Sequence, residues 1–576
     1  MNVILISVML LLSVVGCTQM PKTGNSATTN SSPSSVAVSD QATAPSELTA
    51  EILFDFLVGE VALQRDHLDV AVESYTRLAR HTRDPRIAER ATDIALHARR
   101  FVEARESINL WVELEPDSIH ARQAAVVLYV GAGQLDRARP HLEKLLVSEP
   151  ESIDKAFMQI NKLLSRHGDK NETLKLIRQL ASAHNKLPEA HFAVSQAAWA
   201  ANQLELASDA MKQALRLRPN WELAAIHQGR ILQRIANAEA FAFYEQYLKQ
   251  FPKANDMRIA YIRMLMEDKD YSQSRQQFQK LEKENPANPD IALAIGLLSA
   301  ELNDFDRAEK YFKQALQLGF EDTNSVNFNL GRVNEITQRD SAAMDSYRRV
   351  TGGERYIPAQ IRYAFLLAKR DGIAPARQHL QTVRASDEQQ YMQLVLSEAQ
   401  LLRENHADHE AYDLLSRHLQ KNPDQADLLY DRALVADKIG KLDVLERDLR
   451  RLIELKPESA HAYNALGYSL AERGQRLPEA LELIQKAIAL SPDDPYIMDS
   501  LGWVYYRMGN LKKALNYLNL AFAARPDPEI AAHLGELLWM NGEKDNAEKV
   551  WRSALEAYPG NEVLLDTMQR FLQPRR

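Results

Sequence analysis

Prolines return along this chain at a fixed interval, and that interval limits the fold more than any other feature. They stand at Pro116, Pro150, Pro219, Pro252, Pro286, Pro423, Pro457, Pro492, Pro526 and Pro559, on rungs about 34 residues apart. The empty rungs fall near His184, Phe320, Glu354 and Glu388, where helical patterning continues. A period of this length belongs to a two-helix unit, which cannot bury its apolar face alone and must stack on copies of itself. Glycine is scarce, 21 of 576 residues, and the segments are rich in Leu, Ala and charge. Both observations favour helix over sheet.

Smaller marks recur between the prolines. Leu501-Gly502, Tyr505, Gly509, Ala514, Leu518, Ala521 and Pro526 appear in order, then Leu534-Gly535, Leu538, Gly542, Ala547, Trp551, Ala554 and Pro559. Leu466-Gly467, Gly474, Ala480, Ala487 and Pro492 follow the scheme with one inserted residue, and Ile295-Gly296, Ala308, Phe312 and Ala315 follow it again. The small residue after Leu, and the Ala of the second helix, let two helices approach closely. The later Gly supplies turn angles, and Pro stops the second helix because it has no N–H to continue it. This series resembles the tetratricopeptide-repeat (TPR) signature over nearly all of residues 51–559. The resemblance implies an all-α, right-handed superhelical solenoid of about fifteen helix pairs over 47–559, degenerate near 151–190 and 355–422, with a capping helix within 560–576.

The amino terminus carries a different signal. Val3 to Val15 is an apolar run too short to span a bilayer and suited to a signal-peptide core. It leads into Val14-Val15-Gly16-Cys17, which resembles a bacterial lipobox, and Cys17 is the only cysteine of the chain. The resemblance implies removal of residues 1–16 and a diacylglycerol and N-acyl lipid on Cys17, with no other cofactor. Residues 17–46, rich in Ser, Thr, Ala and Pro, read as a disordered tether with a root-mean-square reach of about 30 Å. Thr18 after the cysteine implies the outer membrane, with the body facing the periplasm. A net charge of −8 excludes a globally basic nucleic-acid binder.

No phosphate loop, nucleophile elbow or zinc-helix motif is present, and the expected class is not an enzyme. His406 and His409 offer two ligands at most, short of a metal site. Asp493-Asp494 follows Pro492 and reads as helix capping.

In a TPR array the first helices of the pairs line a concave groove. Counting from the marked Leu puts Phe192, Trp199, Phe328, Arg332, Tyr468, Trp503, Tyr506 and Trp539 on that face, with Arg507 and Met540 adjacent. Such aromatics and Arg suit a partner contact; the alternative is packing across a tight superhelix. Trp111 and Trp551 fall on second-helix core positions, and Trp221 is undecided. The carboxylate-clamp type of groove is disfavoured, since its positions hold Asp499, Trp503, Asn464 and Tyr468. The first helix, Leu48 to Leu63, is apolar on more than one face, and Phe54, Phe56, Leu57 and Val61 are candidates for docking. Its other reading is ordinary packing with some apolar area exposed.

The layout, together with LARHTRDPRIAERATDIALHARR (78–100), LWVELEPDS (110–118) and DSLGWVYYRMGNLKKAL (499–515), resembles the LbcA-like family of gammaproteobacterial TPR lipoproteins. That resemblance implies an adaptor that activates a carboxy-terminal processing serine protease and brings it cell-wall hydrolases. The other class in view is an assembly factor, a secretin pilot or an activator of a peptidoglycan synthase.

Overall fold

The computed structural model describes residues 48–148, 153–164 and 167–572. The apolar run, Cys17 and the tether lie outside the described residues. Among the described residues thirty-one α-helices follow one another, from Ala50–Gln64 to Glu562–Leu572, and no strand occurs. Their order reads as fifteen helix couples and a closing helix. None of these helices is long and apolar enough to cross a membrane. The chain divides into two compact units between Tyr311 and Phe312.

Many first helices start on a local device. Asp84, Asn288, Asp494 and Asp527 cap their helices directly ahead of Pro85, Pro289, Pro495 and Pro528. Proline fits the first turn because its missing N–H would have no partner there. The Asp494 carboxylate accepts from the Tyr496 N–H at 2.9 Å and the Ile497 N–H at 3.3 Å, so Asp494 of the Asp493-Asp494 pair serves as the cap.

The turn inside a couple is commonly made by one left-handed residue. It is Gly at 133, 440, 474, 509 and 542, but Asp66, Arg99, Asn202, Lys269, Asn303, Gln338 and His406 take the same positive φ. The next residue then bonds back into the first helix, as Asn510 N–H does to the Tyr505 carbonyl at 2.8 Å. This satisfies carbonyls that the helix end would otherwise leave open. The sixth couple differs: Glu222–Ile235 and Asn237–Gln250 are joined through Ala236 in an extended conformation.

Close approach within a couple is set by glycine beneath a large side chain 15 to 17 residues on. Gly59 faces Tyr75, Gly229 faces Tyr244, Gly331 faces Tyr347, Gly467 faces Ile484, Gly502 faces Leu518 and Gly535 faces Trp551. A Cβ on Gly502 would lie 2.7 Å from Leu518 Cγ, and one on Gly467 would lie 2.9 Å from the Ala480 carbonyl oxygen. Buried alanines such as Ala480, Ala514 and Ala547 bring the second helix equally near. Trp111 and Trp551 are core residues, 4% and 0% exposed.

The weakly patterned segments still form helices, with altered lengths. Tyr356–Asp371 has 16 residues and Ile373–Thr382 has 10, whereas Glu388–Glu404 reaches 17. The closing helix seats Leu564 in the core and sets Phe571 5.9 Å from the Trp551 ring.

Gly502→Ala is expected to lower stability by about 1–3 kcal/mol, the usual range for overpacking a filled contact. Combined with Leu518→Ala, it should cost less than the sum of the two single changes. Urea unfolding of the four proteins measures both effects.

Candidate protein-interaction surfaces

The first helix of the first unit, Ala50–Gln64, is built inside out. Asp55, Gly59 and Ala62 are its buried residues. Asp55 is only 2% exposed and accepts a two-pronged contact from Arg77 on helix Leu68–Thr82, at 3.0 Å from Nε and 2.7 Å from Nη2. The Arg77 hydrogen bonds hold the Asp55 carboxyl below the usual carboxylate range, against the opposing effect of burial. Nearby, the Tyr75 hydroxyl donates to Glu60, and burial followed by that contact pushes its pKa up to about 12.

With Asp55 turned inward, helical period turns the large apolar side chains outward. Phe54 is 63% exposed, Leu57 52% and Val61 46%. Phe56 is partly covered, edge-on to Tyr75 at 6.4 Å. All four candidate docking residues are therefore on the surface, and three lie along one line of the helix at i, i+3 and i+7.

The inner face of the second unit corrects part of the groove expectation. Trp503 is 4% exposed and lies between Tyr506, at 5.1 Å, and a histidine absent from the candidate set, His533, stacked at 4.2 Å. Its indole N–H donates to Glu472 at 2.6 Å. Phe328 is 9% exposed, packed 5.9 Å from Tyr347 with the Arg355 guanidinium over its ring. In the first unit Phe192 is 1% exposed, packed on Trp221 at 4.8 Å. Phe192, Phe328 and Trp503 are interior packing residues, not open contact points. Within a unit, consecutive first helices stand close enough for a ring on one to be covered by its neighbour, as His533 covers Trp503.

The remaining candidates keep accessible area. Tyr468, Tyr506 and Trp539 are half-buried and Arg332 is exposed. Arg507 donates to the Glu472 carbonyl, and Trp539 lies 5.9 Å from Trp551. Trp199, half-buried, lines a cavity of about 500 Å³ with Met158, Thr173, Gln196 and His227. Trp221, undecided from sequence, is a packing partner of Phe192.

His533 organises the polar side of the second-unit cluster. Its Nδ1 meets Asp499 Oδ2 at 2.8 Å, and its Nε2 lies 3.4 Å from the Tyr468 hydroxyl. Burial works against its charge, but Asp499, then Glu472 and Glu529, outweigh it and raise its pKa above the ordinary 6.5. Burial likewise raises the Glu529 and Glu536 carboxyls. Sequence carried one sign of this pair: Asp499 and His533 stand 34 residues apart, so they occupy one register on neighbouring repeats. Among the described residues no group of three or more His, Cys, Asp or Glu is placed to hold a metal ion.

A raised histidine pKa stabilises the fold fully below the unfolded value and loses that contribution as pH rises through the folded value. The second unit should therefore weaken above pH 6.5. Asp499→Asn should bring the His533 titration down and flatten that dependence; NMR titration of the imidazole and melting across pH check it. Arg77→Ala strands the buried Asp55 and should loosen helix Ala50–Gln64, at a local cost of about 1–3 kcal/mol, seen as faster hydrogen exchange there.

Family models described as tetratricopeptide repeat match residues 458–527 and residues 293–356 and 500–562. TPR repeat-containing protein PA4667 of Pseudomonas aeruginosa is 31% identical over 487 residues, 84% of this chain and 82% of that protein. Cellulose synthase operon protein C of Pseudomonas fluorescens is 24% identical over 45% of this chain, which spans 22% of that protein. A solved thermophilic TPR protein from Thermus thermophilus is 27% identical, with 31% of this chain and 96% of that one covered at a TM-score of 0.29. With a helix-couple architecture and a relative of this identity aligned over most of both chains, the protein belongs to the tetratricopeptide-repeat family that includes PA4667.

Proposed function

We propose that the chain is a lipid-anchored periplasmic scaffold, held in the outer membrane through Cys17, that binds and activates a carboxy-terminal processing serine protease and brings it peptidoglycan hydrolases. The coarser statement, a TPR protein that presents surface to protein partners, follows from family membership. The observation that carries docking of a partner is the outward apolar line Phe54, Leu57, Val61, fixed by the buried Asp55–Arg77 contact. Burying such a line against another protein returns about 25 cal/mol per Å² of apolar surface removed from water. Helix Ala50–Gln64 has no basic residue, so it lacks the charge that draws an amphipathic helix onto anionic lipid. A protein surface is the better match.

The protease and its substrates are supported by the resemblance in layout and in the three quoted segments. Holding enzyme and substrate on one array raises their mutual concentration to the millimolar range for a short connection.

Cleavage of a candidate hydrolase by the protease should be at least about tenfold faster with the chain present. Phe54→Ser/Leu57→Ser should abolish the gain while the helical circular dichroism is unchanged. Equal rates with and without the chain would overturn the protease reading. Recovery of a secretin or a synthase in place of the protease, by affinity purification from the envelope, would favour the assembly-factor class. Cys17→Ala should move the chain from the membrane to the soluble periplasmic fraction.

A further inference from the structure

The second unit contains a cavity of about 960 Å³ between two first helices, Glu388–Glu404 and Ala426–Lys438. These helices make only glancing contact with each other, whereas Glu388–Glu404 packs chiefly on Asp408–Lys421. The lining is chemically unlike the aromatic faces described above. Gln389, Gln393 and Gln400 stand along one side with Leu396 between them, and Gln425 lies across the gap. The spacing of 389, 393, 396 and 400 keeps them on one face of a helix. Gln389 to Gln400 therefore forms a carboxamide row about 16 Å long, the length of about five residues of extended chain.

Three of these four carboxamides are not committed elsewhere. The Gln389, Gln393 and Gln425 carboxamides have no hydrogen-bond partner among the described residues, while Gln400 donates to Glu404 at 2.8 Å. Arg403 Nε is buried without a partner, although its Nη1 lies 3.5 Å from Asp431 Oδ1. A row that offers both amide donors and amide acceptors matches an extended polypeptide backbone, which presents the same two groups in alternation. The charges around it add a preference. Glu388, Glu404, Asp427 and Asp431 line the cavity, against Arg403 and Lys438. Asp427 and Glu404 are exposed, and Asp427 has only a loose contact with Lys456 at 3.7 Å. Burial raises the Asp431 carboxyl despite Arg403, whereas Gln389, Gln393 and Gln400 are open to solvent.

From the uncommitted carboxamide row and the excess of carboxylates, we infer that this cavity holds an unstructured, lysine- or arginine-bearing polypeptide segment of a partner in extended form. The Gln side chains bond its backbone, and the exposed Asp427 and Glu404 attract its basic side chains. Local sequence then matters little beyond charge, since amide recognition reads the backbone. The inference rests on the scaffold reading and adds to it the class of segment this part of the array takes.

The test is fluorescence anisotropy with the full-length chain and a labelled Gly/Ser/Lys peptide about twelve residues long. The Lys peptide should bind, its Glu counterpart should not, and N-methylation of its backbone should weaken it about fivefold. Gln389→Ala/Gln393→Ala and Asp427→Asn should each weaken it about fivefold, the second with a shallower salt dependence. Equal binding of the Glu peptide, unchanged affinity in both variants, or no binding would overturn the inference. Protease stimulation by the same variants separates the two readings. Stimulation retained without peptide binding removes this cavity alone, and peptide binding without stimulation removes the protease reading alone.

Discussion

The contact that fixes the spacing of six of the described couples is the seating of a large side chain against a glycine on the preceding helix. At Gly502 and Leu518, or Gly59 and Tyr75, there is no room for even one added carbon. Because the second helix cannot stand further off without opening a void, and cannot come nearer, the spacing inside a couple is set. What remains variable is the side chain that fills the seat: Tyr75, Tyr244, Tyr347, Ile484, Leu518 or Trp551. That choice adjusts each couple without altering the repeat, and the surfaces described above differ from one another although their scaffolding does not.

The architecture was legible in the sequence because the devices that impose it are local and recur. Asp494-Pro495 starts a helix, Gly509 turns the chain, Ala514 admits the partner helix and Pro526 ends it, and each acts within a few residues. The left-handed turn was only half legible. Arg99, Lys269 and Gln338 hold the same conformation as Gly509 without the residue type that announces it, since the packed couple imposes the angle that propensity would not choose.

The candidate surfaces were harder to read for a reason of distance. Helix periodicity places Phe192, Phe328 and Trp503 on one face of their helices but says nothing of what the next repeat sets against them. Covering depends on pairs such as Trp503 with His533, thirty residues apart and on different helices. Asp55 was hidden in another way: an acidic residue within an apolar stretch looks solvated until Arg77, 22 residues later, is seen to reach it. The apolar excess of the first helix was visible, but its direction was decided by that one carboxylate.

The Asp55–Arg77 fork also has a mechanical meaning. Helix Ala50–Gln64 is where the chain leading from the amino terminus enters the repeat array. Tension from that side arrives first at a helix fastened to its neighbour by the two-pronged Asp55–Arg77 ion pair, the Tyr75–Glu60 hydrogen bond, the Phe56–Tyr75 ring contact and the Gly59 seat. A pull along the entering chain therefore loads these contacts together, and the first couple feels it before any other helix does.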